Sequence, residues 1–74
     1  MTKATILIKV VPTKIDQILI QVKNIKETRK AYPIFGRWDI TAFIEVAEYN
    51  HLKNLTSRIN SFEGVRSSET LAEV

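Results

Sequence analysis

An α+β sandwich in the order β-α-β-β-α-β, with a four-stranded antiparallel sheet and two helices on one face, is the fold class this 74-residue sequence predicts. Three observations predict it. Residues 4–11 and 40–46 alternate apolar and other side chains with the period of a strand. Residues 15–25 and 49–62 space their apolar side chains with the period of a helix. A glycine-containing turn near the middle of the chain joins two halves of nearly equal length.

The first strand takes residues 4–11. Ala4, Ile6, Ile8 and Val10 point one way, and Thr5, Leu7, Lys9 and Val11 the other, so the first set is the core face. Pro12 ends the strand. Thr13 is a candidate helix N-cap, and Asp16 completes a variant capping box with its charge at the positive helix end. Ile15, Ile18, Leu19, Val22 and Ile25 make one apolar stripe on the first helix. The second strand spans residues 28–35. Its Pro33 cannot donate a ladder hydrogen bond, which places the strand at a sheet edge. Gly36-Arg37-Trp38-Asp39 reads as a turn, with Gly supplying positive φ and Asp bonding its own backbone nearby.

The third strand is 40–46, with Ile40, Ala42, Ile44 and Val46 on one side and Thr41, Phe43 and Glu45 on the other. The second helix runs over 48–61, with Tyr49, Leu52, Leu55, Ile59 and Phe62 as its stripe. Gly64 is expected at its C′ position. Residues 65–74 form the last strand. With right-handed crossovers this order gives a ferredoxin-like sandwich, one domain over residues 1–74.

The chain is 45% hydrophobic and 26% charged, the balance of a folded protein. So short a chain buries only about 60% of the surface its unfolded form exposes, so its own core is marginal. There is no Cys and a single His, His51, so disulfides and thiolate or histidine metal sites are excluded as the remedy. Oligomerisation is left. The helix stripes cover one sheet face; the other carries Leu7 and Phe43, with Tyr32 or Ile34 beside them, and predicts a homodimer packed face to face.

No apolar stretch approaches the roughly 18 residues of a membrane span, and the N-terminus lacks a secretory pattern, so a cytoplasmic protein with no membrane partner is expected. Residues 1–37 hold eight basic side chains against Asp16 and Glu27, a net of +6, while residues 38–74 hold three against six acids, a net of −3. The basic residues are dispersed, which predicts a solvated surface and no sequence-specific nucleic-acid binding. No catalytic constellation, cofactor motif or metal spacing is present. His51 reads as a surface residue.

Two features stand out: the Gly36-Arg37-Trp38-Asp39 turn, and the hydroxyl-rich Ser67-Ser68-Glu69-Thr70 segment after Gly64-Val65-Arg66. A hairpin turn and a polar edge strand account for them by composition. Taken in order with Val10-Val11-Pro12 and the apolar strand after Asp39, they carry a likeness over nearly the whole chain. The sequence resembles the stand-alone RAM domain, the effector-binding and oligomerisation half of Lrp/AsnC transcription regulators.

That resemblance implies a non-enzymatic domain that binds a small effector such as an amino acid between subunits of a dimer, often assembled into larger rings. It implies a ligand site at Gly36, Arg37, Trp38, Asp39, Ser68 and Thr70, and a role in regulating amino-acid metabolism or transcription, including co-assembly with full-length regulators. The sequence departs from the family in three places: Pro12-Thr13-Lys14 replaces Pro-Gly-Lys, Pro33 replaces a strand aliphatic, and the end at Leu71-Ala72-Glu73-Val74 is more polar. The regulators' helix-turn-helix half has no counterpart in these residues, so operator binding is not carried over. A small dimeric α+β barrel enzyme has the same topology. It requires a buried acid, base or cofactor ligand between sheet and helices. A nucleic-acid-binding module is a third reading, marked by affinity that falls steeply with salt.

Overall fold

A computed structural model describes residues Met1–Glu73. The elements are β1 (Thr2–Val10), a 3-10 turn (Pro12–Lys14), α1 (Ile15–Lys23), β2 (Thr28–Pro33), β3 (Ile40–Val46), α2 (Tyr49–Asn60) and β4 (Val65–Ala72). The sheet order is β2-β3-β1-β4, and every neighbouring pair is antiparallel. This is the ferredoxin-like arrangement, with Pro33 on an edge strand as its missing N–H requires.

Alternation on β1 and β3 places the core. Ile6 sits between Ala42 of β3 and Thr70 of β4, and Ile8 between Ile40 and Ser68. Ile6, Ile8, Ile40 and Ala42 are fully buried, as are Ile18 and Val22 of α1 and Ile59 of α2. Both helix stripes therefore close on the same sheet face. Each isoleucine so covered contributes about 1.5–3 kcal/mol relative to exposure.

The structure corrects several local expectations. β1 stops at Val10; Val11 lies outside the ladder and donates its N–H to the Gly64 carbonyl (2.8 Å). Thr13 is not the cap of α1. After Pro12 the chain makes a 3-10 turn closed by the Lys14 N–H on the Val11 carbonyl (2.8 Å), and α1 starts only at Ile15, with no side-chain cap. Asp16 still lies in the first turn, without a capping box. β2 ends at Pro33, two residues short of the expected 35. Tyr49 opens α2 but is 65% exposed, outside the core that the rest of the stripe covers.

Gly64 does have positive φ (106°), but the C-cap of α2 is Ser61, so Gly64 belongs to the turn into β4. An added Cβ there would lie 2.9 Å from the Lys14 Cβ, so the two helix–strand joints touch at this glycine. β4 ends at Ala72; Val74 lies outside the described residues.

Candidate functional site

The turn between β2 and β3 is wider than four residues. The Ile34 N–H donates to the Asp39 carbonyl (2.9 Å), enclosing residues 34–39. Gly36 has φ 123°, and an added Cβ would meet nothing within 4 Å, so its conformation rather than crowding calls for glycine. Arg37 is exposed and Trp38 half-buried, beside a fully exposed Phe35.

Asp39 does not bond its own turn through its side chain. Its N–H donates to the Ile8 carbonyl (2.9 Å), and its Oδ2 accepts the Val10 N–H (3.0 Å). The carboxylate extends the β1–β3 ladder by one step beyond β3. Lys9 Nζ lies 3.8 Å from the same Oδ2 and donates to the Arg37 carbonyl (3.3 Å), tying the turn to β1. Asp39 thus has a structural task within one chain.

Ser68 and Thr70 are elsewhere. Paired with Ile8 and Ile6, they share the helix-covered face. Ser68 Oγ donates to Asn60 Oδ1 (2.7 Å), and Thr70 Oγ1 shares a hydrogen bond with Thr56 Oγ1 (3.1 Å), both partners on α2. Thr70 and Ala72 are small, so α2 and β4 leave a groove of about 410 Å³ between them. It is lined by Tyr49, Leu52, Lys53, Thr56 and Ser57 from α2 and by Thr70 and Ala72 from β4. No residue of the 36–39 turn borders it.

The structure therefore separates the expected site into two parts, with the turn on the β3 side of β1 and the hydroxyls on the β4 side, under α2. The α2 residues of the groove escaped the sequence reading. The sequence carries no signal for them, because β4 lacks an apolar alternation and only its pairing with β1 turns Ser68, Thr70 and Ala72 toward α2.

The open sheet face carries Leu7 and Phe43 as expected. Phe43 is 38% exposed, its ring 6.1 Å from that of Tyr32 at an interplanar angle of 43°. Leu71 of β4 pairs with Thr5 and adds another exposed apolar side chain. Charges rim the patch: Arg29 Nε lies 3.3 Å from Glu45 Oε1, and Lys30 Nζ 5.6 Å from the centre of the Tyr32 ring. Among the described residues, the one polar residue buried as a whole is Thr41, and no group of three or more metal-ligating side chains is placed to hold an ion. Among the described residues, no helix is long and apolar enough to cross a membrane.

A family model described as the Lrp/AsnC ligand binding domain matches residues 3–72. No curated protein matches the chain. Among solved structures, TTHA0845 from Thermus thermophilus has a TM-score of 0.96 at 23% identity, covering 100% of this chain and 94% of that one. AsnC of E. coli has a TM-score of 0.89 at 20% identity, covering 99% of this chain but 50% of its own. The feast or famine regulatory protein from M. tuberculosis, complexed with L-methionine, has a TM-score of 0.84 at 21% identity, covering 100% of this chain and 50% of that one.

Proposed function

Since the chain belongs to the Lrp/AsnC ligand-binding domain family, matched over residues 3–72, we propose that it is a cytoplasmic, non-enzymatic effector-binding domain that assembles through its open sheet face and takes an amino acid between subunits. The family match is the observation that carries this reading. The L-methionine complex of the M. tuberculosis relative supports the ligand class.

The geometry supports a shared site. In one chain Asp39 flanks β1 on its β3 side and the hydroxyls of Ser68 and Thr70 on its β4 side under α2, and a site between subunits combines one set from each of two chains. An α-amino acid needs an acceptor for its ammonium and donors for its carboxylate. Asp39 serves as the acceptor through the oxygen that does not hold Val10. Backbone N–H groups near Gly36 and the two hydroxyls serve as donors, with Trp38 against the side chain and Arg37 selecting an acidic or polar one.

Leu7 and Phe43, with Tyr32 and Leu71, form the patch for the second copy. Dimers then join into a ring-like assembly, which the ligand stabilises and which tightens ligand binding in turn. In this reading the domain regulates amino-acid metabolism or transcription through full-length regulators with which it co-assembles, without specific DNA contact of its own.

The test is the mass of the native assembly, with and without a panel of amino acids, followed by calorimetry on the wild type and on Asp39→Ala. Asp39→Ala also removes the brace on Val10, so its assembly must be verified first. At least one amino acid is expected to bind and to shift the mass, and the assembled variant is expected to lose affinity. No binding at millimolar concentrations overturns the effector role, and unchanged affinity in the variant moves the site elsewhere.

A further inference from the structure

We propose that two copies of the chain meet through the open sheet face about a two-fold axis that runs along the strands, with Arg29 and Glu45 of each copy facing the partner's Glu73 and Lys3. This rests on the open-face assembly proposed above and adds its direction. The residues that carry it form one row across the end of the face. Arg29 Nε lies 3.3 Å from Glu45 Oε1. Glu45 pairs with Lys3 in the β1–β3 register. Glu73 follows β4 and donates its N–H to the Lys3 carbonyl (2.8 Å). These residues and Phe43 are among those that border one cleft of about 230 Å³. From the β2 edge to the β4 edge, the row reads cation, acid, cation, acid.

Such a row is its own complement when it is reversed. In an aligned sandwich of two sheets, a two-fold axis between them runs either along the strands or across them. An axis along the strands keeps each row at its height and reverses its order. Arg29 then faces the partner's Glu73, Glu45 faces the partner's Lys3, and both contacts recur by symmetry. Stacked sheets lie about 10 Å apart, a gap that an arginine or lysine and a glutamate bridge together.

The other rim charges agree. β2 carries Lys30 beside Arg29 and has no acid. The open-face positions of β4, fixed by pairing with Lys9, Leu7 and Thr5, are Ser67, Glu69 and Leu71, with no cation. Arg66 falls at the β4 bulge, at the opposite end of the strand from the charged row. The basic edge of each copy thus covers the acidic edge of the other. An axis across the strands places β2 on β2 and β4 on β4. It also carries Lys3 and Glu45 toward the partner's Lys9 and Asp39, like charge near like charge. Exposed ion pairs add little affinity, but they reject the wrong orientation.

The experiment mixes two variants of the whole chain, Arg29→Glu and Glu73→Lys, and counts the dimers by native mass spectrometry. Both residues are exposed, so neither change unfolds the chain. Alone, each variant sets like charges against each other at both symmetry-related places, and each is expected to weaken the dimer about tenfold. The mixed dimer has opposite charges at both places. It is expected in at least about tenfold excess over either like dimer, where random pairing gives about twofold. The excess is expected to shrink as salt is raised. Effects within a chain, such as loss of the Arg29–Glu45 contact, are the same in mixed and like dimers and cancel from this ratio. Random mixing, with a dimer that Phe43→Glu still dissociates, overturns the orientation and leaves the open-face interface standing. A wild type that is monomeric at micromolar concentration, or a dimer that survives Phe43→Glu, overturns the open-face assembly and this inference with it.

Discussion

The two faces of the sheet are made from alternate residues of the same strands, and they end differently. On β1, Ile6 and Ile8 are fully buried, while Leu7 between them is only partly so. On β3, Ala42 and Ile44 are buried, while Phe43 is left half-exposed. The covered set is uniformly apolar and the other is mixed, yet Leu7 and Phe43 are as apolar as their neighbours, and what distinguishes them is cover. The stripes of α1 and α2 close one face within the chain. The other face has an apolar centre of Leu7, Phe43, Tyr32 and Leu71 inside a ring of charges, the anatomy of a contact surface rather than of a core. One face holds the chain together, and the other is available for a second chain.

The largest expected effect tests the covered face. Ile8→Ala removes methyl groups from a site with no exposure, and it should cost about 2–5 kcal/mol of unfolding free energy. Denaturant unfolding measures this. Leu7→Ala, one residue along, should cost clearly less in any condition where the chain is monomeric. Equal costs at neighbouring residues would break the contrast between the faces.

Next comes Phe43→Glu on the open face. In a single chain this side chain is half in water, so the change costs little there. In a face-to-face dimer it places two carboxylates in an apolar contact, where each must be desolvated. Sedimentation at micromolar concentration should show the assembly lost, and the dependence of thermal unfolding on protein concentration should disappear with it. A dimer of unchanged mass in this variant means that the open face is not the interface.

Much of this division was legible in the sequence. β3 has the bounds expected of it, 40–46, because a strict alternation of strong apolar residues leaves one register. Pro33 announced an edge strand by its missing donor. What was hidden depends on distant partners. The capping residues at Thr13 and Asp16 look sufficient locally, yet the 3-10 turn after Pro12 delays the helix to Ile15. Asp39 reads as a turn residue, but its carboxylate bonds Val10, 29 positions away. Within the candidate site, the turn was legible as a motif, and its tie to β1 was not. β4 has no apolar alternation to show its orientation, so only the pairing with β1 reveals that Ser68 and Thr70 face α2.

The two glycines sharpen the comparison at single backbone positions. Both have positive φ, a conformation that costs about 1 kcal/mol or more for alanine. Gly64 also lies against Lys14 on the packed side, where a Cβ meets carbon at 2.9 Å. Gly36 opens onto unoccupied space. Gly64→Ala should therefore destabilise more than Gly36→Ala, with the second near about 1 kcal/mol. Thermal unfolding of the two variants at one protein concentration gives the order, and the reverse order would show that the joint at Lys14 yields easily.

Thr70→Val should change stability least, and for that reason it separates folding from binding. Valine keeps the shape of threonine and replaces a hydroxyl by a methyl group. The lost partner is Thr56 Oγ1, at 3.1 Å beside a groove open to water, so the orphaned hydroxyl can be solvated. The lost hydrogen bond and the gained apolar contact nearly cancel, leaving a change within about 1 kcal/mol of either sign. Amino-acid affinity is another matter. If the Thr70 hydroxyl donates to a ligand carboxylate, its removal leaves an anion without a donor, and affinity should fall about tenfold while the unfolding midpoint stays. Calorimetry and thermal unfolding on the same preparation decide between the roles. A fall in stability as large as that of Gly64→Ala, with ligand affinity intact, would make the Thr56–Thr70 pair a brace between α2 and β4 and remove Thr70 from the site.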